Sequence, residues 1–347
     1  MNTQMQAEPG SSTDESANSD GSKPLAISVG EGIVAPSAEH NLLLGFDFGG
    51  NAGEHIHDAV VKLRLPPLDR QRVIESWWYR GDVRYSKSGD VRLAECHDYT
   101  AAIVWQDTVA GGDFREQTRQ SYEKLINAVR TTNHTKLVRI WNYFDDINDG
   151  DDDEEKYRRF CVGRAEAFEA LGIHDESAPT GTAIGTRDSD GLALIAIASN
   201  RDFQPVENPR QTSAFLYPRQ YGPRSPKFSR GGLLSLDSHD LFLISGTAAV
   251  VGHESNYPYD TGLQAEETFR NLALLCDEAE RLRPGKTRFF LDRHSILRVY
   301  LKNPEDYHDV RKKLAAILKG FDQRVIYLHG VICRRELMVE IEGVNVA

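Results

Sequence analysis

The sequence predicts an α/β fold in which one unit occurs twice. Short β-rich runs alternate with segments whose apolar residues recur at helical spacing, and the order strand, helix, strand, helix, strand appears two times along the chain. The residues themselves also repeat, because 117–125 and 264–272 share a glutamine, a hydroxyl residue, an aromatic residue and a leucine at identical spacing. A duplicated α/β unit is the simplest account of these patterns.

Four segments are predicted to be helices. The first three place apolar side chains on one face, and Gly172 stands where the second would end in a C-cap. The fourth opens with Asn303 as N-cap and Pro304 at the first helical position, and it runs to Gly320. The apolar positions of the first three are Tyr122, Leu125, Ile126 and Val129; Phe160, Ala167, Phe168 and Leu171; and Phe269, Leu272, Cys276 and Ala279.

Seven β-rich runs are predicted to be strands. Two of them follow the first and third helices and carry Arg139 and Arg298 at matching positions. These arginines lie farther apart in sequence than the two helical strings do, which implies an insertion in the second copy. The runs cover residues 101–105, 138–143, 192–197, 241–245, 296–301, 325–329 and 338–344.

Composition excludes several classes of protein. The 347 residues carry a net charge of −11, which argues against nucleic acid as a partner. No run approaches the ~18 apolar residues of a membrane helix, and the first residues lack the features of a signal peptide, so we expect a cytoplasmic protein that binds no membrane. The four cysteines form no close pair, so we expect reduced thiols.

Three regions are predicted along the chain. Residues 1–27 are rich in Ser, Asp, Gly and Asn and cannot bury enough apolar surface to offset their ordering entropy, so we expect a disordered tail. Residues 28–205 and 206–347 would then form the two domains, each with one copy of the repeated unit.

The most unusual segment is the basic loop at 208–230. It holds five basic residues, no acidic residue, four prolines and several aromatic residues. Arginine binds carboxylates through two parallel hydrogen bonds, and tyrosine offers both a ring face and a hydroxyl group. This loop is therefore interpreted as a site for a small anion with an unsaturated ring, and a solvated loop with scattered charges is the alternative.

The last strand places two carboxylates on one face. Strand alternation puts Glu340 and Glu342 on the side opposite to Leu337, Val339 and Ile341. If that face lines a cleft, burial and mutual repulsion would raise one pKa and supply a protonated general acid. A half-exposed strand with outward polar residues is the alternative, which the residues alone favour.

Three other patterns are weak. Residues 54–58 contain two histidines but no third ligand at a metal-like spacing, so no metal site is predicted. The glycine-rich run at 45–50 lacks the lysine of a phosphate loop and is interpreted as a turn. The acidic run at 145–155 lacks the ligand pattern of a calcium loop and is interpreted as a solvated loop.

Several strings resemble those of a known family. Gly-Pro-Arg-Ser at 222–225, the strand at 241–246, the helix at Gln264, the Arg298 strand and Val-Glu-Ile-Glu at 339–342 follow the order seen in reactive-intermediate deaminases. Longer strings at 217–224, 245–248, 251–254 and 160–164 narrow the resemblance, over about residues 40–347, to the chorismatases. These resemble a fusion of two deaminase-like units, each a mixed sheet backed by two helices.

The resemblance implies an activity and a site. Chorismatases act on chorismate, a dicarboxylate with a cyclohexadiene ring, and release pyruvate without a metal or organic cofactor. The catalytic acid of the family corresponds to Glu340, which would protonate the enol ether. The two carboxylates call for cations and the ring for aromatic partners. The residues assigned to binding are Arg219 and Arg224 first, Arg164 and Arg298 as weaker candidates, and Tyr217 and Tyr221 at the ring.

Two further positions bear on the product. Gly246 and Cys333 resemble the aromatising branch, which forms 3-hydroxybenzoate, in some cases with 4-hydroxybenzoate. A glycine leaves room near the ring, and a thiol forms a small wall that excludes water. The hydrolytic branch, which yields a dihydrodiol acid, and a non-catalytic binder of anionic aromatic metabolites are the alternatives. The fold also leaves open a homotrimer or a monomer in which duplication supplies the interface.

Overall fold

Strand pairing divides the molecule into three large sheets. The structure is a computed structural model that describes residues 24–50, 56–107, 112–186, 191–237, 240–283, 291, 295–318 and 324–346. The second and third sheets each carry two helices. The first sheet carries none within these ranges and precedes the other two along the chain.

The first sheet has four strands in the order β1-β4-β2-β3. It was not among the predicted strands, and it changes two predictions. Its first strand begins at Leu25, inside the predicted tail, of which residues 1–23 lie outside the described residues. The run at 45–50, predicted as a turn, forms the end of the second strand before Gly49 turns the chain with φ of 82°. The strands are β1 (Leu25–Gly30), β2 (His40–Phe48), β3 (Val60–Leu63) and β4 (Val73–Arg80).

The second sheet has seven strands and carries two helices. Its first helix is capped by Asp113, which accepts a hydrogen bond from the Arg115 backbone N–H. The second helix ends at Ala170, and Gly172 follows with φ of 68°, as its predicted C-cap position requires. The elements are β5 (Arg84–Ser88), β6 (Val91–Glu95), β7 (Thr100–Gln106), α1 (Phe114–Arg130), β8 (Leu137–Asp145), α2 (Lys156–Ala170), β9 (Thr180–Thr186) and β10 (Leu192–Ala198).

The third sheet contains the C-terminal strand at its centre. Asp260 caps its first helix, and one 3₁₀ turn, Pro304–Asp306, precedes its second. The predicted end of that last helix at Gly320 lies outside the described residues. The elements of this sheet are β11 (Asp202–Val206), β12 (Gly231–Ser235), β13 (Asp240–Thr247), α3 (Thr261–Leu282), β16 (Ser295–Leu301), α4 (Tyr307–Leu318), β17 (Val325–His329) and β19 (Val339–Val346). The same part of the chain also forms β14 (Val250–Val251) and β15 (Glu254–Ser255), which pair with each other, and β18 (Val331–Ile332), which pairs with β9 of the second sheet.

The duplication is visible in the strand order. The second sheet runs β5-β6-β7-β10-β8-β9, with the short β18 added beyond β9, and the third runs β11-β12-β13-β19-β16-β17. Each strand from β5 to β10 therefore has a counterpart in the third sheet, and α1 and α2 correspond to α3 and α4. Gln117 and Gln264 each occupy the fourth residue of their helix. The extra length of the second copy falls partly in α3, which has 22 residues against 17 in α1. The predicted two-unit α/β fold is confirmed.

Helices lie outside and the sheets meet inside. Residues of α1 and α2 form one hydrophobic core with the second sheet, and residues of α3 and α4 form another with the third. The helix-free faces of all three sheets share a third core, which includes Phe46, Trp77, Trp141, Leu243 and Tyr300. Burial of the aromatic side chains on this shared face joins the two units more firmly than a polar interface would.

Two further observations concern the whole chain. None of the helices in the described ranges is long and apolar enough to cross a membrane. All four cysteines, Cys96, Cys161, Cys276 and Cys333, are free thiols, as predicted.

Candidate active site

An irregularity in β13 opens a space beside the C-terminal strand. Pairing of β13 with β19 shifts between Ile244 and Thr247, so Ser245 and Gly246 bulge out of the ladder. Such bulges re-aim side chains and often border active sites. On its other side β19 pairs regularly with β16, with Glu340 opposite Tyr300 and Glu342 opposite Arg298. The bulge therefore widens the sheet at the level of the two glutamates.

A cavity of about 840 Å³ begins at this bulge. Its floor is formed by Gly246 and Glu340, and its sides come from the basic loop and from residues 333–337 between β18 and β19. Three residues of the acidic run of the first unit, Asp151, Asp152 and Glu155, complete the lining of the cavity. The side chains of the cavity that bear on its chemistry are Tyr217, Tyr221, Phe228, Arg230, Cys333, Arg334 and Glu340.

Glu340 has the properties of a protonated acid. Its side chain is 5% exposed and reaches the cavity floor. Desolvation, followed by repulsion from Glu342, raises the pKa of Glu340 to about 8, although Arg139 and Arg230 act in the opposite direction. At neutral pH this carboxyl therefore keeps its proton and can donate it.

Glu342 has the opposite character. Burial alone would raise the pKa of this carboxyl, but Arg139 and Arg298, and then hydrogen bonds from Thr182 and Tyr300, hold it below its ordinary value. Arg298 Nη1 lies 3.1 Å from Glu342 Oε1, and Thr182 Oγ1 donates to Oε2 at 2.5 Å. Neighbouring carboxyls with pKa values pushed apart are typical of an acid and an ionised partner.

Arg298, predicted as a weaker candidate for substrate binding, lies at the centre of a closed hydrogen-bond network. Its Nε and Nη2 donate to Glu75 on β4 at 2.7 and 2.8 Å, and its guanidinium lies 3.9 Å from the Phe46 ring centroid. The side chain is 3% exposed and does not line the cavity. Its partner Glu75 belongs to the first sheet, which the sequence analysis did not predict.

The other predicted arginines also lie away from the cavity. Arg219 is 64% exposed and donates to Asp153 at 2.9 and 2.5 Å. Arg224 forms an ion pair with Glu169 on α2. Arg164 is buried on α2, with its guanidinium 4.9 Å from the Phe160 ring centroid. None of the three is among the residues that line the cavity, so their predicted contact with the substrate is not supported by their position.

Four other arginines line the cavity, and two of them, Arg230 and Arg334, contact its aromatic side chains. Arg230 is 4% exposed, donates to the Tyr217 hydroxyl at 2.6 Å and packs over the Phe228 ring, and its Nε has no partner among the described residues. Arg334 lies over Tyr221, 3.9 Å from the ring centroid, and donates to the backbone oxygen of His253. Arg230 belongs to the predicted basic loop, whereas Arg334 precedes the last strand and only its neighbour Cys333 was singled out.

The two predicted tyrosines do come together. Tyr217 and Tyr221 have ring centroids 5.4 Å apart and an interplanar angle of 45°. Both line the cavity, and Arg334 contacts both rings. The structure therefore places Tyr217, Tyr221, Glu340, Gly246 and Cys333 around one cavity.

Gly246 and Cys333 are two small residues in the lining of this cavity. A Cβ at Gly246 would lie 2.9 Å from Glu340 Cδ, and closer still to Oε1, so the glycine makes room for the acid itself. Burial and the nearby Glu340 raise the pKa of the Cys333 thiol well above its ordinary range. Cys333 is therefore a neutral thiol and not a thiolate nucleophile.

The acidic run lies directly ahead of α2 and is largely exposed, as predicted for a solvated loop, and cations pair with several of its acids. Asp145 is buried and lies 2.7 Å from Lys156 Nζ, and Asp153 holds Arg219. Arg335 lies 3.3 Å from Asp151 and donates to the backbone oxygen of Asn148, which ties the run to the segment before β19. In the described ranges no group of His, Cys, Asp and Glu is arranged to hold a metal ion, and Glu54 and His55 lie outside them.

Comparisons with known proteins identify relatives over most of the chain. The family model of the N-terminal domain of FkbO/Hyg5-like chorismatases matches residues 75–198. A chorismatase of Streptomyces rapamycinicus is 35% identical over 302 residues, which cover 85% of this chain and 89% of the relative. A 3-hydroxybenzoate synthase of Streptomyces hygroscopicus is 34% identical over 240 residues, 67% of this chain and 70% of the relative. A crystal structure of a chorismatase superposes with a TM-score of 0.83 at 27% identity, and the match covers 92% of this chain and 98% of that one.

Proposed function

The chain belongs to the chorismatase family, and from that premise we propose that it converts chorismate to 3-hydroxybenzoate and pyruvate. One observation carries the proposal: a buried carboxyl, Glu340, whose pKa is raised to about 8, faces a cavity whose lining includes four arginines and three tyrosines. The similarity to a 3-hydroxybenzoate synthase supports the choice of product.

The proposed first step is a proton transfer to carbon. Glu340 gives its proton to the terminal carbon of the enolpyruvyl double bond, whose electron pair forms the new C–H bond. The resulting oxocarbenium ion weakens the ether, and the three-carbon fragment leaves as pyruvate. The ether oxygen leaves with this fragment as its ketone oxygen, so the C3–O bond breaks and a cation remains at ring C3. The C4 hydroxyl oxygen then bridges to C3 with loss of its proton, and protonation of the bridging oxygen breaks its bond to C4, so that the hydroxyl is now on C3. Loss of the C3 hydrogen as a proton makes the ring aromatic, and the net proton released restores Glu340. A neutral carboxyl serves this step better than a carboxylate because only the neutral form can donate.

The atom balance distinguishes the proposed reaction from hydrolysis. 3-Hydroxybenzoate and pyruvate together contain all the atoms of chorismate, whereas the dihydrodiol acid and pyruvate contain those of one additional water. A site for the first reaction must keep water from the cation. The partly buried thiol of Cys333 and the space that Glu340 fills above Gly246 support the reaction to 3-hydroxybenzoate, which excludes water.

The two carboxylates of chorismate need two cations. Arg230 is the cation of the cavity wall that acts electrostatically on Glu340, so it is assigned to the carboxylate of the enolpyruvyl group. Arg334, stacked on the tyrosines, is assigned to the ring carboxylate. A guanidinium that is held by an aromatic face keeps its donors aimed at the ligand.

The chain segments that line the cavity bear on the proposed oligomeric state. Both units of one chain contribute to the cavity, the first through residues 151–158 and the second through its remaining walls. We therefore propose that a monomer contains a complete site.

The experiment that tests the function is a product analysis. Purified protein is incubated with chorismate, and the products are resolved by chromatography with mass detection. Pyruvate with 3-hydroxybenzoate supports the proposal, and a 4-hydroxybenzoate peak would add a second outcome from the same cation. Pyruvate with a dihydrodiol acid would move the chain to the hydrolytic branch, and a lack of pyruvate would leave a binding protein.

The pH dependence of turnover should follow the proton on Glu340. Because the pKa of this acid is about 8, the protonated form prevails below that pH and disappears above it. Turnover is expected to be level below roughly pH 7 and to fall about tenfold per pH unit well above pH 8. Direct quantification of pyruvate at saturating chorismate measures this profile. A rate that rises with pH across this range would show that the carboxylate is the active form.

Replacement of Gly246 by Ala should change both rate and product. The added Cβ would crowd Glu340 and lie 3.3 Å from Thr182 Cγ2, so the acid must move. Turnover is expected to fall about tenfold, with part of the product diverted to the dihydrodiol acid. Gly262→Ala is the control, because a Cβ at this position of α3 would make only ordinary contacts, the nearest at 3.4 Å to Lys313 Cε. An unchanged product ratio in Gly246→Ala would remove the reason for assigning this position to the aromatising branch.

A further inference from the structure

We propose that Glu342 is a positioning residue that keeps the neighbouring Glu340 in its protonated form, and that Thr182 of the first unit fixes the geometry of the pair. This inference rests on the proposed function, because it concerns the acid of that reaction. It assigns a role to a carboxylate that does not line the cavity and touches no substrate.

The first argument is placement. Glu340 and Glu342 are alternate residues of β19, so their side chains leave the same face of the strand. Both are buried, at 5% and 1% exposure. A fixed negative charge on the same face of a strand, two residues away in a desolvated site, strongly penalises ionisation of the neighbouring carboxyl group.

The second argument is that the charge of Glu342 is held in place. Both of its oxygens are occupied: Oε1 accepts from Tyr300 and Arg298, and Oε2 accepts from Thr182 and Arg139. A carboxylate with four donors cannot take up a proton without losing some of them. Glu342 therefore remains ionised while Glu340 titrates.

Thr182 connects this charge to the cavity floor. Its Oγ1 donates to Glu342 at 2.5 Å and accepts from Arg139 at 2.6 Å. The same oxygen accepts from the backbone N–H of Gly246 at 3.0 Å. One hydroxyl on β9 thus joins the ionised carboxylate to the bulge that makes room for Glu340.

The charges around Glu340 determine the direction of the expected effect. Glu342 faces it from its own strand, Arg139 from β8, Arg230 from the basic loop and Cys333 from the segment after β18. Glu342 is the negative charge of this set, since the Cys333 thiol is neutral. Without it, two arginines would face Glu340 unopposed and favour its ionisation.

The duplicated unit shows that the strand itself does not require an acid here. In the second sheet the residue opposite Arg139 is Ile197, and the residue opposite Trp141 is Ile195. These positions correspond to Glu342 opposite Arg298 and Glu340 opposite Tyr300. Both isoleucines are buried in the shared core. An apolar residue is thus compatible with the strand, which indicates that the glutamate is kept for its charge.

The test compares pH profiles of kcat/KM for pyruvate release. In Glu342→Gln the alkaline limit of activity should move down by about one pH unit, so the loss is about tenfold at pH 9 and small at pH 6. Glu342→Asp keeps the charge and should keep the limit. Glu75→Gln removes a carboxylate from the same buried network but from the far side of Arg298, and it should keep the limit as well. An equal loss at every pH in Glu342→Gln, or an unmoved limit, would overturn the proposal.

If Glu342→Gln does not fold, a second measurement on the wild-type chain replaces the comparison of pH profiles. The side-chain carboxyl carbons of the full chain are followed by NMR during a pH titration, with Glu340→Gln for assignment. Glu340 should titrate near pH 8 while Glu342 stays ionised. Titration of Glu340 near the ordinary glutamate value of 4.5 would overturn the inference. If the wild-type chain releases no pyruvate, the proposed function fails, but this titration still decides the role of Glu342.

Discussion

Replacement of Glu340 by Gln is expected to abolish pyruvate release while ligand affinity is retained. Glutamine has the shape of a neutral carboxyl group, and Glu340 is neutral at pH 7 because its pKa is about 8. The variant therefore preserves packing and charge and removes only the transferable proton. General acid catalysis contributes about 10²- to 10⁴-fold, so a loss of about 10³-fold in kcat is expected.

Steady-state kinetics and calorimetry separate the two effects. Pyruvate release gives kcat, and titration with 3-hydroxybenzoate gives an affinity that should change less than threefold or so. Glu95→Gln, a largely buried glutamate on β6 that contacts Asn133 and Arg84, is the matched control and should retain turnover. Retention of more than about a tenth of the wild-type rate in Glu340→Gln would remove this residue from the catalytic role.

Replacement of Arg230 by Met should raise KM for chorismate by about 30-fold with a much smaller change in kcat. The methionine keeps the apolar stem between Tyr217 and Phe228 but loses the charge-assisted hydrogen bonds to a carboxylate, each worth about 1.5–3 kcal/mol. Because Arg230 lowers the pKa of Glu340, its removal leaves this acid protonated to a higher pH. Initial rates over a range of chorismate concentrations measure both constants.

Arg219→Ala is the control from the same loop. Arg219 is exposed and paired with Asp153, so its loss should leave KM unchanged within about twofold. The opposite pattern, with KM raised by Arg219→Ala and unaffected by Arg230→Met, would restore the assignment made from the sequence. Arg230→Lys gives an intermediate test, since an ammonium keeps the charge but not the paired donors.

Periodicity alone predicted most of the fold, because the helices α1–α4 and the central strands have regular apolar patterns. The first sheet escaped prediction for a physical reason. The side chains of β4 are buried on both faces from Val73 to Tyr79, so no polar alternation marks the strand, and Glu75 and Ser76 interrupt its apolar run. β10 is buried on both faces as well, but its apolar run is uninterrupted, and it was predicted.

The site was predictable where the signal was local and not where it depended on a distant partner. Alternation along one strand identified Glu340, and the basic loop identified the tyrosines. Arg219 and Arg230 have the same composition around them, but the first meets Asp153 and the second lies buried against aromatic rings. The acidic run and the basic loop become neighbours only when the chain folds. The sequence alone therefore does not reveal that Arg219 is the arginine paired with an acid.

The matched strand orders of the two units have an evolutionary consequence. In an assembly of identical subunits, every substitution appears in all copies of the site at once. A duplicated chain can change one half alone, and here Ile195 and Ile197 occupy the positions that Glu340 and Glu342 hold in the other half. The acid pair thus belongs to the second copy alone, while the first copy contributes residues 151–158 to the cavity lining. Such a division of labour allows the two walls of one pocket to diverge, which suits a ligand whose two ends differ chemically.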